Sequence, residues 1–236
     1  MLDDQVVDYR LDVLGRFRLR RGTRQLTPRP SCRRLLGLLA VRGSLHRMEA
    51  SEALWPGLTE RQSQSNLRTV LWRLREQGIP IIKDDNAYLS LTGLIVDLGE
   101  VVRWCHASLS GHGFAVAPPE GIARDVLPGW TDSWLLAPRE ELQTLRLHAL
   151  DAVGGRFLLA DQLGEAGKAT RAAAQLDPLR ESSTRLLLEV YLREGNAIDA
   201  VRLYQDFASR LRDELGLDPE PQTTALVSRV AFSGSS

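Results

Sequence analysis

The sequence Gln62-Ser63-Gln64-Ser65-Asn66-Leu67-Arg68-Thr69-Val70-Leu71-Trp72-Arg73-Leu74-Arg75 has the apolar spacing of an amphipathic helix. On a helical wheel of about 100° per residue, its apolar side chains fall within one sector of roughly 100°. They are Leu67, Val70, Leu71 and Leu74. The opposite side holds Ser65, Arg68, Thr69, Trp72, Arg73 and Glu76. The stretch predicts a helix over residues 60–77 with one buried face and one cationic face.

Two helices are predicted before this one and a hairpin after it. An apolar run at residues 35–39 predicts a buried helix that is N-capped by Ser31 and ends near Gly43. Residues 48–54 predict a second, short helix. Residues 79–82 and 87–91 flank the polar turn Lys83-Asp84-Asp85-Asn86. Three helices followed by a hairpin form a winged helix-turn-helix.

The first residues alternate between apolar and polar side chains, as in a half-buried strand. Val7, Tyr9, Leu11 and Val13 share one face of the first predicted strand. A second strand follows the break at Gly15, and together the two predict a small antiparallel sheet that precedes the helices.

The second half is predicted to be helical throughout. Helices are expected over 98–109, 133–159, 161–176, 179–194, 198–215 and 221–230. The similar hexapeptides at 164–169 and 195–200 are 31 residues apart, close to the period of tetratricopeptide (TPR) helix hairpins. The predicted fold class is mainly α with a small β component. Residues 1–92 would form the winged-helix DNA-binding domain, 97–230 an all-α TPR-like domain, and 231–236 a flexible tail.

The formal net charge of zero hides an asymmetry between the two halves. Residues 1–91 contain 16 Lys and Arg against 10 Asp and Glu, a net of +6, and the remainder has a net of −6. A basic half joined to an acidic half indicates an anionic partner for the first half only. No apolar run reaches the length of a membrane span, and the N-terminus lacks the features of a signal peptide. We therefore expect a cytoplasmic protein without a membrane partner.

The cationic face of the third helix is the candidate DNA-binding site. Arg can bond guanine edges in a bidentate manner, Thr can touch a thymine methyl, and Ser and Thr can bond phosphate. The predicted contacts are Ser65, Arg68, Thr69, Trp72 and Arg73, with Lys83 of the hairpin as a wing contact. Three alternatives remain open. In the first, the helix face is only solvated; in the second, Trp72 packs at the edge of the core; in the third, the negative charges of Asp84 and Asp85 disfavour a contact by Lys83.

Catalytic and metal-binding motifs were sought and not found in the sequence. His46, His106, His112 and His148 are scattered and form no metal-ligand spacing. Cys32 and Cys105 are far apart and fit reduced thiols better than a disulfide. We expect no catalytic residues, no metal, no cofactor and no enzyme activity. A competing hypothesis is a helical-repeat adaptor that binds other proteins without binding DNA directly, because helix-pair repeats form concave binding surfaces.

Several stretches in a fixed order resemble the Streptomyces antibiotic regulatory protein (SARP) family. That family joins an OmpR/PhoB-type winged helix to a bacterial transcriptional activator domain (BTAD). In the first half the stretches are residues 14–19, 33–40, 54–56, 66–75 and 96–97. In the second half they are residues 127–130, 134–135, 176–181, 200–204 and 214–219.

The resemblance implies a transcriptional activator that binds direct repeats in promoter DNA and recruits RNA polymerase through its sigma and alpha subunits. It also implies control of a secondary-metabolite gene cluster, such as one for antibiotic biosynthesis, and allows a homodimer. By position, Arg68, Thr69, Trp72 and Arg73 match family residues at or near the major-groove surface. Because no Gly-x-x-x-x-Gly-Lys-Ser/Thr loop is present, the resemblance is to the short form of the family.

Overall fold

A computed structural model describes residues 9–111 and 116–233, with side chains up to Ser228. The chain divides into two compact units. The first comprises Met1–Val101 and Arg124–Leu142, and the second comprises Val102–Ala123 and Gln143–Ser236. Within the described residues, no helix is both long and apolar enough to cross a membrane.

The elements follow the predicted order, with additional short strands. The strands are β1 (Tyr9–Asp12), β2 (Arg18–Arg21), β3 (Arg24–Leu26), β4 (Leu45–His46), β5 (Ile82–Asp84), β6 (Tyr88–Leu91) and β7 (Leu94–Val96). The helices are α1 (Pro30–Arg42), α2 (Arg47–Leu54), α3 (Glu60–Glu76), α4 (Asp97–Leu109), α5 (Leu136–Leu159), α6 (Leu163–Leu176), α7 (Glu181–Arg193), α8 (Ala197–Leu215) and α9 (Pro221–Ser233). The mainly α fold class is confirmed. Of the predicted tail, residues 234–236 lie outside the described residues, as does Val7 of the first predicted strand.

The first sheet has four strands, in the order β3-β2-β1-β7, where the sequence indicated two. Strand β7 lies parallel to β1, with Leu11 opposite Val96. Asp97 follows β7 and fixes the end of β1, since its carboxylate accepts hydrogen bonds from the N–H groups of Val13 (2.9 Å) and Leu14 (3.0 Å). Strand β7, which follows the hairpin, is therefore paired with the first strand, β1.

Asp12 is buried in this sheet, although the alternation placed it on the polar face. Its carboxylate pairs with Arg10 (3.1 Å), Arg18 (2.7 Å) and Arg20 (3.2 Å). Burial acts to raise the pKa of Asp12, but the hydrogen bond and charge of Arg18, with the charges of Arg20 and Arg10, bring the pKa below its usual value. The three arginines thus compensate the buried carboxylate.

Helices α1–α3 enclose the core of the first unit with fully buried leucines, among them Leu35, Leu39, Leu67 and Leu74. Helix α1 begins at Pro30, which suits a first helical position because proline has no N–H to leave unpaired. The predicted N-cap at Ser31 is wrong, because Arg29 is the N-cap residue. Thr59 caps α3 in a capping box with Gln62.

Residues 124–142 belong to the first unit, and we call them the 124–142 segment. Its backbone joins the loop that follows β1. Gly15 N–H donates to the Asp125 carbonyl (2.7 Å), and Leu127 N–H donates to the Val13 carbonyl (2.8 Å). The segment is therefore hydrogen-bonded to the winged-helix sheet at a sequence separation of more than 100 residues.

The side chains of the 124–142 segment cover α1. The Trp130 ring lies so close to Gly37 that a Cβ on that glycine would be 2.9 Å from the ring. Trp130 also stacks on Phe17, with ring centroids 5.9 Å apart. Asp132 forms an ion pair with Arg34 of α1. A glycine in α1 thus allows an indole to pack directly on the helix backbone.

The second unit is a succession of packed helices. Helix α6 packs on α7, α7 on α8, and α9 on both α7 and α8. Asp151 of α5 accepts hydrogen bonds from Ser183 (2.6 Å), Ser182 (2.9 Å) and Arg180 (3.0 Å) around the start of α7. The helical-repeat part of the predicted fold class is confirmed.

Candidate nucleic-acid interface

The turn between α2 and α3 is held by side-chain hydrogen bonds. The Gln64 amide donates to the Ser51 hydroxyl (2.9 Å) and to the Arg47 carbonyl (3.2 Å). At the start of α2, His46 accepts a hydrogen bond from Met48 N–H on Nδ1 (3.3 Å). These bonds fix the direction in which α3 leaves α2.

Helix α3 is divided into two faces as the wheel predicted. Its four apolar residues are buried, and Ser65, Arg68 and Thr69 are exposed on the other side. We call Ser65, Arg68, Thr69, Trp72 and Arg73 the reading face. All five therefore lie along one helix, four of them exposed on the side away from its buried residues and Arg73 half-buried at the flank.

Trp72 lies largely in solvent, with 59% of its surface exposed. That exposure disfavours the alternative in which Trp72 packs at the edge of the core. Large exposed aromatic side chains are common at binding surfaces. Its contact with DNA stays a prediction.

Arg73 is half-buried and lies on the flank of α3 that faces the start of α1. The Cys32 thiol of α1 approaches the Val70 carbonyl of α3 (3.8 Å). Burial raises the pKa of the Cys32 thiol, and the nearby charges of Arg73 and Arg29 oppose that rise. Arg73 and Arg29 therefore place two positive charges on this flank, while Arg68 lies on the other.

Lys83 lies apart from the reading face. It is exposed within β5, opposite Ser90, so the turn begins later than the sequence indicated. The neighbouring Asp84 bonds Arg47 through both carboxylate oxygens (2.7 Å each) and lies 3.8 Å from Arg75. Because successive side chains of a strand point to opposite faces, Lys83 is directed away from these arginines.

The pairing of Asp84 with Arg47 changes the electrostatics of the wing. Of the two carboxylates that weakened the case for Lys83, Asp84 is compensated by Arg47. Asp85 is exposed and bonds the backbone N–H groups of Ala87 and Tyr88. Burial acts to raise the pKa of Asp84, but the Arg47 hydrogen bonds, the Asn86 N–H and the charges of Arg47 and Arg75 together hold the pKa below its usual value. Arg47 and Arg75 were missed in the sequence because their partner is distant from both along the chain.

Arg61 is a further exposed cation that the sequence analysis did not include. It precedes Ser65 by four residues and Arg68 by seven, which places it on the same side of α3. That spacing was visible in the sequence. Tyr88 of β6 is also exposed and packs edge-on against His46. Nothing in the sequence distinguishes it from an ordinary strand residue.

We expect the first unit to lose stability in acid partly through Asp84. A carboxyl whose folded pKa is lowered stabilises the fold above its unfolded pKa, and that contribution disappears as the pH falls through the folded value. Asp84→Asn should therefore be less stable than the wild type at about pH 7, with the difference shrinking below about pH 4. Denaturant unfolding across this pH range measures the difference, with Asp206→Asn on the exposed side of α8 as a control. A difference that is independent of pH would contradict the assigned role of the Arg47 pair.

No group of three or more His, Cys, Asp or Glu residues suited to a metal ion occurs in the described part of the chain. His112 lies outside that part. Cys32 and Cys105 are both buried free thiols.

Comparison with known proteins adds a family assignment to this geometry. The family model of the bacterial transcriptional activator domain matches residues 122–231. The regulatory protein AfsR of Streptomyces coelicolor is 29% identical over 94% of this chain, and AfsR of Streptomyces griseus is 28% identical over the same share. These matches support assignment to the Streptomyces antibiotic regulatory protein family. That family consists of transcriptional regulators.

The SARP-family relatives are longer than this chain. The chain spans about a quarter of each AfsR sequence, with 24% of each covered. Among solved structures, Mycobacterium tuberculosis EmbR in complex with a low-affinity phosphopeptide has a similar fold, with a TM-score of 0.62 at 18% identity. The likeness covers 96% of this chain and 65% of the EmbR chain.

Proposed function

We propose that this SARP-family chain is a sequence-specific DNA-binding transcriptional activator that works in the cytoplasm. In this proposal residues 1–92 form the DNA-binding domain, and α3 enters the major groove. The observation that supports it best is the reading face. It is exposed apart from half-buried Arg73, contains two arginines and lies on a helix whose turn from α2 is held by Gln64. The helix dimensions match those of the major groove.

The contacts that we propose fall into two groups. Arg68 and Thr69 face outward from α3 and would meet base edges, whereas Arg73 and Lys83 lie to the sides and would meet phosphates. Ser65 and Trp72 complete the surface. Exposed Arg61 near the start of α3 would add a further phosphate contact.

For the second half we propose a role in activation. The activator-domain match supports a protein-binding role for residues 97–230, by which they would contact the sigma and alpha subunits of RNA polymerase or a second copy of the chain. As the family resemblance implies, the targets would be direct repeats in the promoters of a secondary-metabolite gene cluster.

Binding of the full chain to duplex DNA tests the proposal. Genomic duplexes from upstream of the neighbouring genes are compared with scrambled duplexes of equal length and composition. Phosphate neutralisation releases counterions, so with about six phosphate contacts the affinity should fall about 10³-fold between roughly 50 and 200 mM salt. The proposal requires that one genomic duplex outcompete its scrambled counterpart by about 10³-fold or more.

Equal binding to all duplexes, or none, would favour the adaptor hypothesis. In that case the helical second half would act through proteins alone. A pull-down with purified RNA polymerase then separates an adaptor for the transcription machinery from one for other partners.

A further inference from the structure

The centre of the reading face is apolar, although its flanks are cationic. Thr69 is exposed in the middle of α3, and its hydroxyl donates a hydrogen bond to the Ser65 carbonyl one turn earlier (3.0 Å). Threonine forms this bond in helices because its hydroxyl reaches the carbonyl of residue i−4. The donor of Thr69 is thus used within the helix, which leaves its γ-methyl and the acceptor side of its hydroxyl for external contacts.

Trp72 extends this apolar centre. It follows Thr69 by three residues, so the two side chains are neighbours on the helix surface. Its indole is 59% exposed. The threonine methyl and the indole together form a strip that we call the apolar strip, with Arg68 on one flank and Arg73 on the other.

The chemistry of the major groove limits what such a strip would contact. Each base pair presents donors and acceptors there, but only thymine presents a methyl group, at C5. A protein methyl group cannot form hydrogen bonds, so its contact with the thymine methyl is the most favourable one, because both apolar surfaces are removed from water. The flanking arginines favour a polyanion over an apolar protein partner, as does the net charge of +6 on residues 1–91.

We infer that the apolar strip selects DNA by contact between the Thr69 methyl and the C5-methyl of a thymine, with the Trp72 indole shielding that contact from water. The inference rests on the proposed function and makes it more specific. It names one base as the ligand of one side chain. It also assigns Thr69 a role in specificity that does not use its hydroxyl donor, which is bonded to the Ser65 carbonyl.

The test removes the methyl group from the thymine or from Thr69. Duplexes that bind the full-length protein are first selected from a random pool, and each thymine of the selected site is then replaced singly by deoxyuridine. Deoxyuridine keeps the Watson–Crick and groove hydrogen bonds of thymine and lacks only the methyl. The matched protein change is Thr69→Ser, which keeps the hydroxyl that bonds the Ser65 carbonyl.

At one position, deoxyuridine should weaken wild-type binding about fourfold, the effect of losing one buried methyl. Thr69→Ser should weaken binding to the thymine duplex by a similar factor. The variant should then show no further loss when that same thymine is replaced, because the partner methyl is already absent. Deoxyuridine outside the bound site, and Thr92→Ser in the protein, should leave affinity unchanged.

The possible failures are distinguishable. A selected duplex that binds equally well with deoxyuridine at every position would overturn the inference and leave the proposed function intact. The inference would also be overturned if the affinity of Thr69→Ser fell a further fourfold on the deoxyuridine duplex, since the two methyl groups would then act independently. A pool that yields no preferred duplex would overturn both the inference and the proposed function.

Discussion

Removing both arginines of the reading face should strongly weaken DNA binding. Arg68→Ala and Arg73→Ala are each expected to cost about 1–3 kcal/mol of binding free energy. Together they should reduce affinity between about 30-fold and 10⁴-fold. The reason is electrostatic as well as directional, because both positively charged guanidinium groups flank the apolar strip.

The single variants should separate base contacts from phosphate contacts. Loss of a phosphate contact weakens binding to all sequences alike and reduces the salt slope by about one, whereas loss of a base contact relaxes specificity at one position. We expect Arg73→Ala to behave in the first way, because Arg73 lies beside Arg29 and the start of α1. We expect the second behaviour from Arg68→Ala.

The matched control is the double variant Arg202→Ala/Arg210→Ala. It removes the same charge from exposed positions of α8, in the second unit. Its affinity for the selected duplex should equal that of the wild type. If the two double variants lose affinity equally, the effect is one of net charge, and the assignment of the reading face is wrong.

Trp130→Ala should destabilise the winged-helix unit even though Trp130 lies far outside residues 1–92. Its indole stacks on Phe17, packs on Gly37 and forms an edge contact with Trp134. Truncation of a well-packed tryptophan costs about 3 kcal/mol. Gly37→Val should also destabilise the unit, because the valine side chain would overlap the Trp130 ring.

Hydrogen exchange locates the effect. In Trp130→Ala, amides of α1 and α3 should exchange faster, because the cover of the first core is weakened. Trp104→Ala is the control, since Trp104 is a partly exposed tryptophan in the second unit. Unchanged exchange in α1 and α3 would mean that the 124–142 segment does not support the winged helix.

The elements that the sequence predicted correctly are those with local patterns. The apolar period of α3 and the turn chemistry around Asn86, which has a φ of 73°, depend on neighbouring residues. Strand β7 was missed, because its parallel pairing with β1 joins residues more than 80 positions apart. The burial of Asp12 was missed for a related reason, since the three arginines that compensate it come from two strands.

The same distinction between local patterns and tertiary contacts applies to the candidate site. The reading face could be predicted because one helix holds all of it. The bond between Asp84 and Arg47, and the position of Arg73 beside Cys32, are tertiary contacts without a local pattern. The packing of the 124–142 segment on α1 belongs to this second kind, and residues 1–92 as an independent domain stay a proposal.

The return of the 124–142 segment to α1 has a consequence during protein synthesis. Chains are made at about 5–20 residues per second, and a unit folds once its parts have left the ribosome. After Val101, the first unit lacks the complete 124–142 segment, including Trp130, until about 40 further residues have been added, roughly 2–8 s later. During this interval the surface of α1 around Gly37 is uncovered. A nascent chain stalled before residue 124 should consequently be more sensitive to protease within α1 than one stalled well beyond residue 142.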